Sequence, residues 1–430
     1  MSITRRVTFR LYPSASQNDK LHYWRRLHKD LYNACVSHRR TQYKQFSRSV
    51  NYFDQQNVLP EFKKCWIEYK ELGSHALQAT VKRVDFAFQR FFKLKSGYPK
   101  FKSEWRYKGW TYPCKAGWKA CTSGKNGYLK LTNLGNVKMR GQARDWGTPK
   151  TCTIMFKQGK WYASITVDCV PTRVQTDTNA VGLDFGSHHA IAFSDGTIID
   201  NPGFIKQSQK KVNRLAKKSR RKRASNWKKR IRPSISDAPR FGESGRSFAS
   251  RRWKKANKAV SKIQSKVARQ RQDWQHKVAT EIARCNSLVA TEKLNLKNLT
   301  RKAKGKRKRQ KSGLNRNLLD VGIGNLKSLI KYKVTEAGGI YIEVPTRKVA
   351  PSQTCPSCGI KRKKDLSERV HICSCGIEPI DRDVAAAMVM LNYARGQELS
   401  SLVVESSNPT ECGNMRQFGA KKRQKLIPNH

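Results

Sequence analysis

The chain has 430 residues, enough for roughly two or three domains and a sizeable core. Its 89 Lys and Arg outnumber 30 Asp and Glu, giving a formal net charge of +59. Self-repulsion at that density argues against an ordinary small-molecule enzyme and makes nucleic acid the expected partner. With no apolar run of about 18 residues and no signal peptide, a membrane role is not expected and a cytoplasmic, nucleoid-associated protein is.

Residues 3–12 alternate and are rich in β-formers, which predicts a strand ended by Pro13. Ser14 is placed to cap a helix that carries Leu21, Trp24, Leu27, Leu31 and Cys35 on one face. A second helix is expected after Ser74, with Leu77, Val81, Val84, Phe88 and Phe91 at helical spacing. Those stripes read as core. Arg25, Arg26, Arg39, Arg40, Lys82, Arg83 and Arg90 around them suit phosphate contacts.

From Gly97 to about residue 170 the pattern turns to strands, including Tyr128–Leu131 and a hairpin, 151–156 with 161–167, across Gln158-Gly159-Lys160. Together with residues 3–12 these strands are expected to close a small barrel. Residues 170–178 read as a linker.

The next stretch, Ala180-Val181-Gly182-Leu183-Asp184-Phe185-Gly186, is an apolar strand delivering one carboxylate to a sheet edge. A hairpin through Asp195-Gly196 follows. Such an acid suits a divalent metal, although an actin-like nucleotide fold or a plain loop aspartate would read alike at this point. Residues 201–260 are intensely basic, a composition usually disordered or solvated when free, with a break at 233–245. Val260, Ile263, Val267, Trp274 and Val278 then define a helix face. Residues 286–292 repeat the strand-to-acid theme and end on Glu292; a second basic run covers 301–311, a helix runs from about Gly322 to Ala337, and 340–344 is a further strand.

Of 12 cysteines, most stand alone and read as buried small hydrophobes: Cys35, Cys65, Cys114, Cys121, Cys152, Cys169, Cys285 and Cys412. Only Cys355-Pro-Ser-Cys358-Gly and His371-Ile-Cys373-Ser-Cys375-Gly have ligand spacing. Zinc held by Cys355, Cys358, Cys373 and Cys375 is the first choice, with His371 as a substitute ligand. A helix with acids in its first turn, Asp381 and Asp383, and a run of small residues follows. The small residues let it lie close on a sheet, which brings an acid near Asp184 and Glu292, and three converging carboxylates can hold two divalent ions for phosphodiester cleavage.

These pieces, in this order, resemble TnpB, the transposon-encoded RNA-guided nuclease family related to type V CRISPR effectors. The resemblance rests on residues 182–186, 292–296, Gly313-Leu314-Asn315-Arg316, 352–359 and Asp381-Arg382-Asp383, with support from Phe9–Pro13 and Pro99–Lys102. It implies an α+β multidomain protein: a wedge-like β-barrel (1–13 and 97–170) with an inserted helical recognition lobe (14–96), and an RNase H-like RuvC nuclease domain (171–350 and 377–395). A zinc-binding insert (351–376) interrupts the nuclease domain, and a flexible tail (396–430) ends the chain. It implies Asp184, Glu292 and Asp383 as catalytic Mg²⁺ ligands, one structural Zn²⁺, a guide RNA and target double-stranded DNA as partners, and a monomer with its RNA. Two departures stand out. Ala385 occupies a position where the family usually has Asn, and the second half of the cysteine group is one residue short. A nuclease-inactive RNA-guided regulator and a compact type V effector are the alternatives; a transposase lacks a separate strand-transfer constellation.

Overall fold

The computed structural model describes residues 3–94, 96–222, 250–302, 308–365, 368–396 and, for the backbone, 420–422. The expected break at 233–245 and Cys412 lie outside these. The chain divides at Thr172–Arg173 into two compact units.

In the first unit, β1 (Ile3–Tyr12) buries Val7, Phe9 and Leu11 and leaves their neighbours outward. Ser14 caps α1 (Ala15–Phe46) in a capping box: its hydroxyl accepts the Gln17 amide, and the Gln17 side chain accepts the Ser14 amide. Short helices α2 (Tyr52–Asn57) and α3 (Leu59–Cys65) lead through a 3-10 turn to α4 (Ser74–Leu94). The expected stripes are buried on both long helices, except that Phe91 stays half-covered. Six strands follow: β2 (Gly109–Tyr112), β3 (Trp118–Cys121), β4 (Gly127–Leu131), β5 (Gly135–Arg140), β6 (Thr148–Lys157) and β7 (Lys160–Cys169). The β6–β7 turn needs positive φ at both centres, and Gln158 (55°) and Gly159 (76°) supply it.

The expected barrel does not close. The antiparallel sheet runs β2-β6-β7-β1-β5-β4-β3, and no pairing joins its ends. Closure needs end strands that pair along a consistent stagger. Here β2 and β3 have only four residues each. Helices shield β2 instead: Trp110 meets Trp24 edge-on at 6.3 Å and stacks on His28 at 5.2 Å. Helices and sheet thus share one apolar core.

The second unit is built on a mixed sheet. A meander of β8 (Asn179–Asp184), β9 (His189–Phe193) and β10 (Thr197–Asp200) is antiparallel, whereas β11 (Asn286–Glu292) and β12 (Ile340–Val344) run parallel to β8. The order is β12-β11-β8-β9-β10, extended at the β10 edge by a strand at Ala420–Lys422 that the tail's composition does not announce. Between β10 and β11 come α5 (Phe204–Arg221) and α6 (Arg251–Cys285), so the described parts of the basic stretch are helical rather than irregular. Helices α7 (Leu296–Leu299), α8 (Lys308–Val321) and α9 (Ile323–Glu336) precede β12; α10 (Thr346–Val349) and a two-strand ladder, β13 (Val370–His371) with β14 (Ile380–Asp381), precede α11 (Arg382–Ala394).

Strand alternation sorts the sheet's two faces. Val181, Leu183, Ile191, Phe193 and Val289 pack with α6 and α9. Gly182, Ala192 and Ala290 face α11. That helix lies unusually near: a Cβ on Gly182 would sit 1.8 Å from the Ala387 carbonyl oxygen. Only glycine fits there, and Ala385, Ala386 and Ala387 permit the approach from the helix side. Among the described residues no helix is long and apolar enough to cross a membrane. Of the lone cysteines, Cys35, Cys152 and Cys169 are buried as expected, but Cys65 and Cys121 are exposed. Each of the latter two occupies the last position of a short element, where the chain turns outward.

Candidate active site

Asp184 ends β8 on the α11 face, in phase with Gly182. The β8–β11 register pairs Ala290 with Gly182 and Thr291 with Leu183, so Glu292 ends the neighbouring parallel strand beside Asp184. Asp383 enters from the first turn of α11, and its Oδ2 lies 4.0 Å from where a Gly186 Cβ would be. The three acids named from the sequence therefore gather at the carboxyl ends of two parallel strands, where open α/β sheets bind their ligands.

Their electrostatics are unfavourable without a cation. Asp184 is pushed up to about 8 by burial and then by the Asp383 and Glu292 charges; the Phe185 amide and Arg382 only partly offset this. Glu292 is raised as well, chiefly by burial, against a Thr346 hydrogen bond and the Lys327 charge. Desolvated acids, with Asp184 within reach of the charges of the other two, favour either a proton or a bound metal ion.

Neighbours fix the geometry. Asp381, the other acid of the pair, is the N-cap of α11: its Oδ1 accepts the Asp383 amide at 2.9 Å. Arg382 lies 3.5 Å from Asp383. Lys327 was not singled out from sequence, yet its buried ammonium donates to the Glu292 carbonyl and pairs with Glu343 at 3.1 Å. A signal for it existed: Lys327 falls on the same stripe as Ile323, Leu326, Ile330 and Val334, where a charge needs a buried partner.

The cysteine group assembles as its spacing suggests. Sulfurs of Cys355, Cys358, Cys373 and Cys375 all lie within 4.8 Å of one another, the arrangement of a four-ligand metal site. Cys355 faces Cys375 at 3.7 Å and Cys358 faces Cys373 at 3.5 Å. Both knuckles close on left-handed glycines, Gly359 at φ 74° and Gly376 at φ 82°. The shortened second half therefore still presents both thiols. The Ile377 amide holds Cys375 down at about 7, while burial pushes Cys355 up to about 12, a thiol that a cation would deprotonate. His371 is not one of this set; its Nδ1 bonds Lys364.

Comparison with known proteins agrees with the motif reading. Two family models match, "Probable transposase" over residues 243–303 and "Cas12f1-like, TNB domain" over 324–390. A curated relative from Escherichia coli, "Putative RNA-guided DNA endonuclease InsQ", is 26% identical over 93% of this chain and 95% of its own length. Another from Streptomyces pristinaespiralis, "Putative RNA-guided DNA endonuclease", is 26% identical over 90% of this chain and 89% of its own. Among solved structures, a Cas12f1-sgRNA-target DNA complex aligns at TM-score 0.46 and 12% identity, covering 91% of this chain and 99% of that one. The mini-RNA-guided endonuclease CRISPR-Cas phi3 aligns at TM-score 0.46 and 10% identity, over 93% and 94%.

Proposed function

We propose that this chain, whose resemblance to the TnpB family is borne out by family models and curated relatives alike, is an RNA-guided DNA endonuclease of transposon origin that cuts target DNA in one RuvC-like site. The observation that carries the proposal is the gathering of Asp184, Glu292 and Asp383 on one face of the sheet. Its strand order, three antiparallel strands followed by two parallel ones, supports the RNase H-like reading of this unit.

Asp184, Glu292 and Asp383 would hold Mg²⁺, and their donor chemistry fits: hard oxygen ligands, crowded and short of positive charge. Bound there, the metal would polarise the phosphodiester and supply a hydroxide-like nucleophile. The chain's own part is placement. Asp381 fixes the first turn of α11, Lys327 ties down the end of β11, and Gly182 lets the helix bring Asp383 against the strands. The four cysteines would hold one Zn²⁺ that leaves no position open for water, so its role is structural.

Sequence is read by base pairing with the guide, while Lys and Arg hold the backbones. Residues 204–222 and 250–272, which cover α5 and the first two-thirds of α6, contain no acid. Such a paired basic surface suits RNA or heteroduplex phosphates. Three intact carboxylates argue against a nuclease-inactive regulator. Sequencing the RNA that co-purifies with the chain tests the reading: a single noncoding species from the encoding element's end is expected. A repeat-derived CRISPR RNA would favour the type V alternative, and random cellular RNA would contradict guidance altogether.

A further inference from the structure

We infer that the segment from Pro99 to Lys108 is a preformed stacking platform for unpaired nucleic-acid bases, with Trp105 as its principal surface and Phe101 beside it. The inference rests on the nucleic-acid reading above and adds a site to it.

The segment has no regular structure before β2, yet its backbone is pinned. Pro99 and Tyr107 are buried at its two ends. From α1, the Asn33 side chain grips Lys102 on both sides, donating to its carbonyl at 2.9 Å and accepting its amide at 2.7 Å. Arg25 donates to the carbonyls of Glu104 (3.0 Å) and Tyr107 (3.2 Å). Within the loop, the Arg106 and Tyr107 amides both bond the Ser103 carbonyl, which closes a tight turn with Trp105 on its outer corner.

What the pinned loop offers to solvent is aromatic. Trp105 is 80% exposed and Phe101 48%, while Tyr98 just upstream is 41% exposed. Burying an indole is favourable, so holding Trp105 outward on a rigid turn is a loss that binding would recover. Lys100, Lys102, Arg106 and Lys108 alternate with the aromatics along the segment, and the one acid among them, Glu104, lies 3.8 Å from Arg26. Like charge disfavours a second copy of this chain as occupant, and the cations suit a phosphate backbone. Aromatic faces interleaved with cations are how proteins hold single strands, the cations tracking phosphates and the rings taking bases of any sequence. Paired bases inside a duplex offer no free face, so the site selects unpaired or terminal ones.

The test uses the full-length protein and three labelled probes: an oligothymidylate, an abasic oligomer of equal length, and a blunt duplex. Trp105→Ala should weaken oligothymidylate binding roughly tenfold, within the range of single base–aromatic contacts. It should leave abasic-oligomer affinity and the salt dependence unchanged, and Trp105→Phe should restore most of the loss. Because Trp105 packs on so little, the melting temperature should not move. Equal losses on the base-bearing and abasic probes, or no loss on oligothymidylate, would overturn the inference. If the unaltered protein binds none of the probes, the nucleic-acid reading itself fails rather than this addition to it.

Discussion

At the scale of single residues, the carboxylates make opposite demands on stability and chemistry. An Asp184 raised to about 8 in the folded chain, against an ordinary value near 4 when unfolded, binds its proton more tightly folded. Its contribution is therefore intact below pH ~4 and lost progressively as pH rises to about 8. In magnesium-free buffer, Asp184→Asn should raise the melting temperature, by more at pH 8 than at pH 5; an equal shift at both would argue against a crowded acid there. Asp381 and Asp383, two residues apart, should separate cleanly. Asp381→Ala removes a cap worth about 1 kcal/mol and should lower stability while leaving cleavage measurable. Asp383→Ala should abolish cleavage with little loss of stability, and the reverse pattern would exchange their roles.

At the scale of elements, α11 against β8 is the critical contact. With the Ala387 carbonyl 1.8 Å from a Cβ on Gly182, Gly182→Ala must push the helix off the sheet. Overpacking of this kind costs about 1–3 kcal/mol. Melting temperature and cleavage should fall together while RNA binding persists; unchanged cleavage would mean that Asp383 tolerates the shift. The cysteine knuckles should bind about one Zn²⁺ per chain by their ligand number. Cys373→Ser should lose it and His371→Ala should keep it, since His371 stands outside the sulfur set; finding the opposite would make His371 the fourth ligand. Most of these elements were legible in the sequence because their patterns are local. The Ser14 cap, the stripes of α1 and α4, the alternation in β1 and the apolar strands ending in Asp184 and Glu292 each follow from a few neighbouring residues. What escaped depends on distant partners. Barrel closure turns on whether β2 and β3 meet, strand Ala420–Lys422 exists through β10, and Lys327 matters through Glu292 and Glu343.

At the scale of the molecule, a net charge of +59 and one gathered set of acids divide the labour. On the proposed function, binding is diffuse and cationic and chemistry is local and anionic. Removing one acid should therefore silence cutting without releasing the nucleic acid, because the Lys and Arg contacts that set affinity are elsewhere. The most direct measurement pairs the purified chain and Asp184→Ala, each with its RNA, on plasmids carrying a matched or a scrambled target in Mg²⁺. The account predicts cleavage of the matched plasmid alone by the unaltered chain, a cut site that follows when the guide segment is exchanged, and no cleavage by Asp184→Ala despite retained target binding. Cleavage by Asp184→Ala at the unaltered rate, or cutting indifferent to the guide, would contradict it.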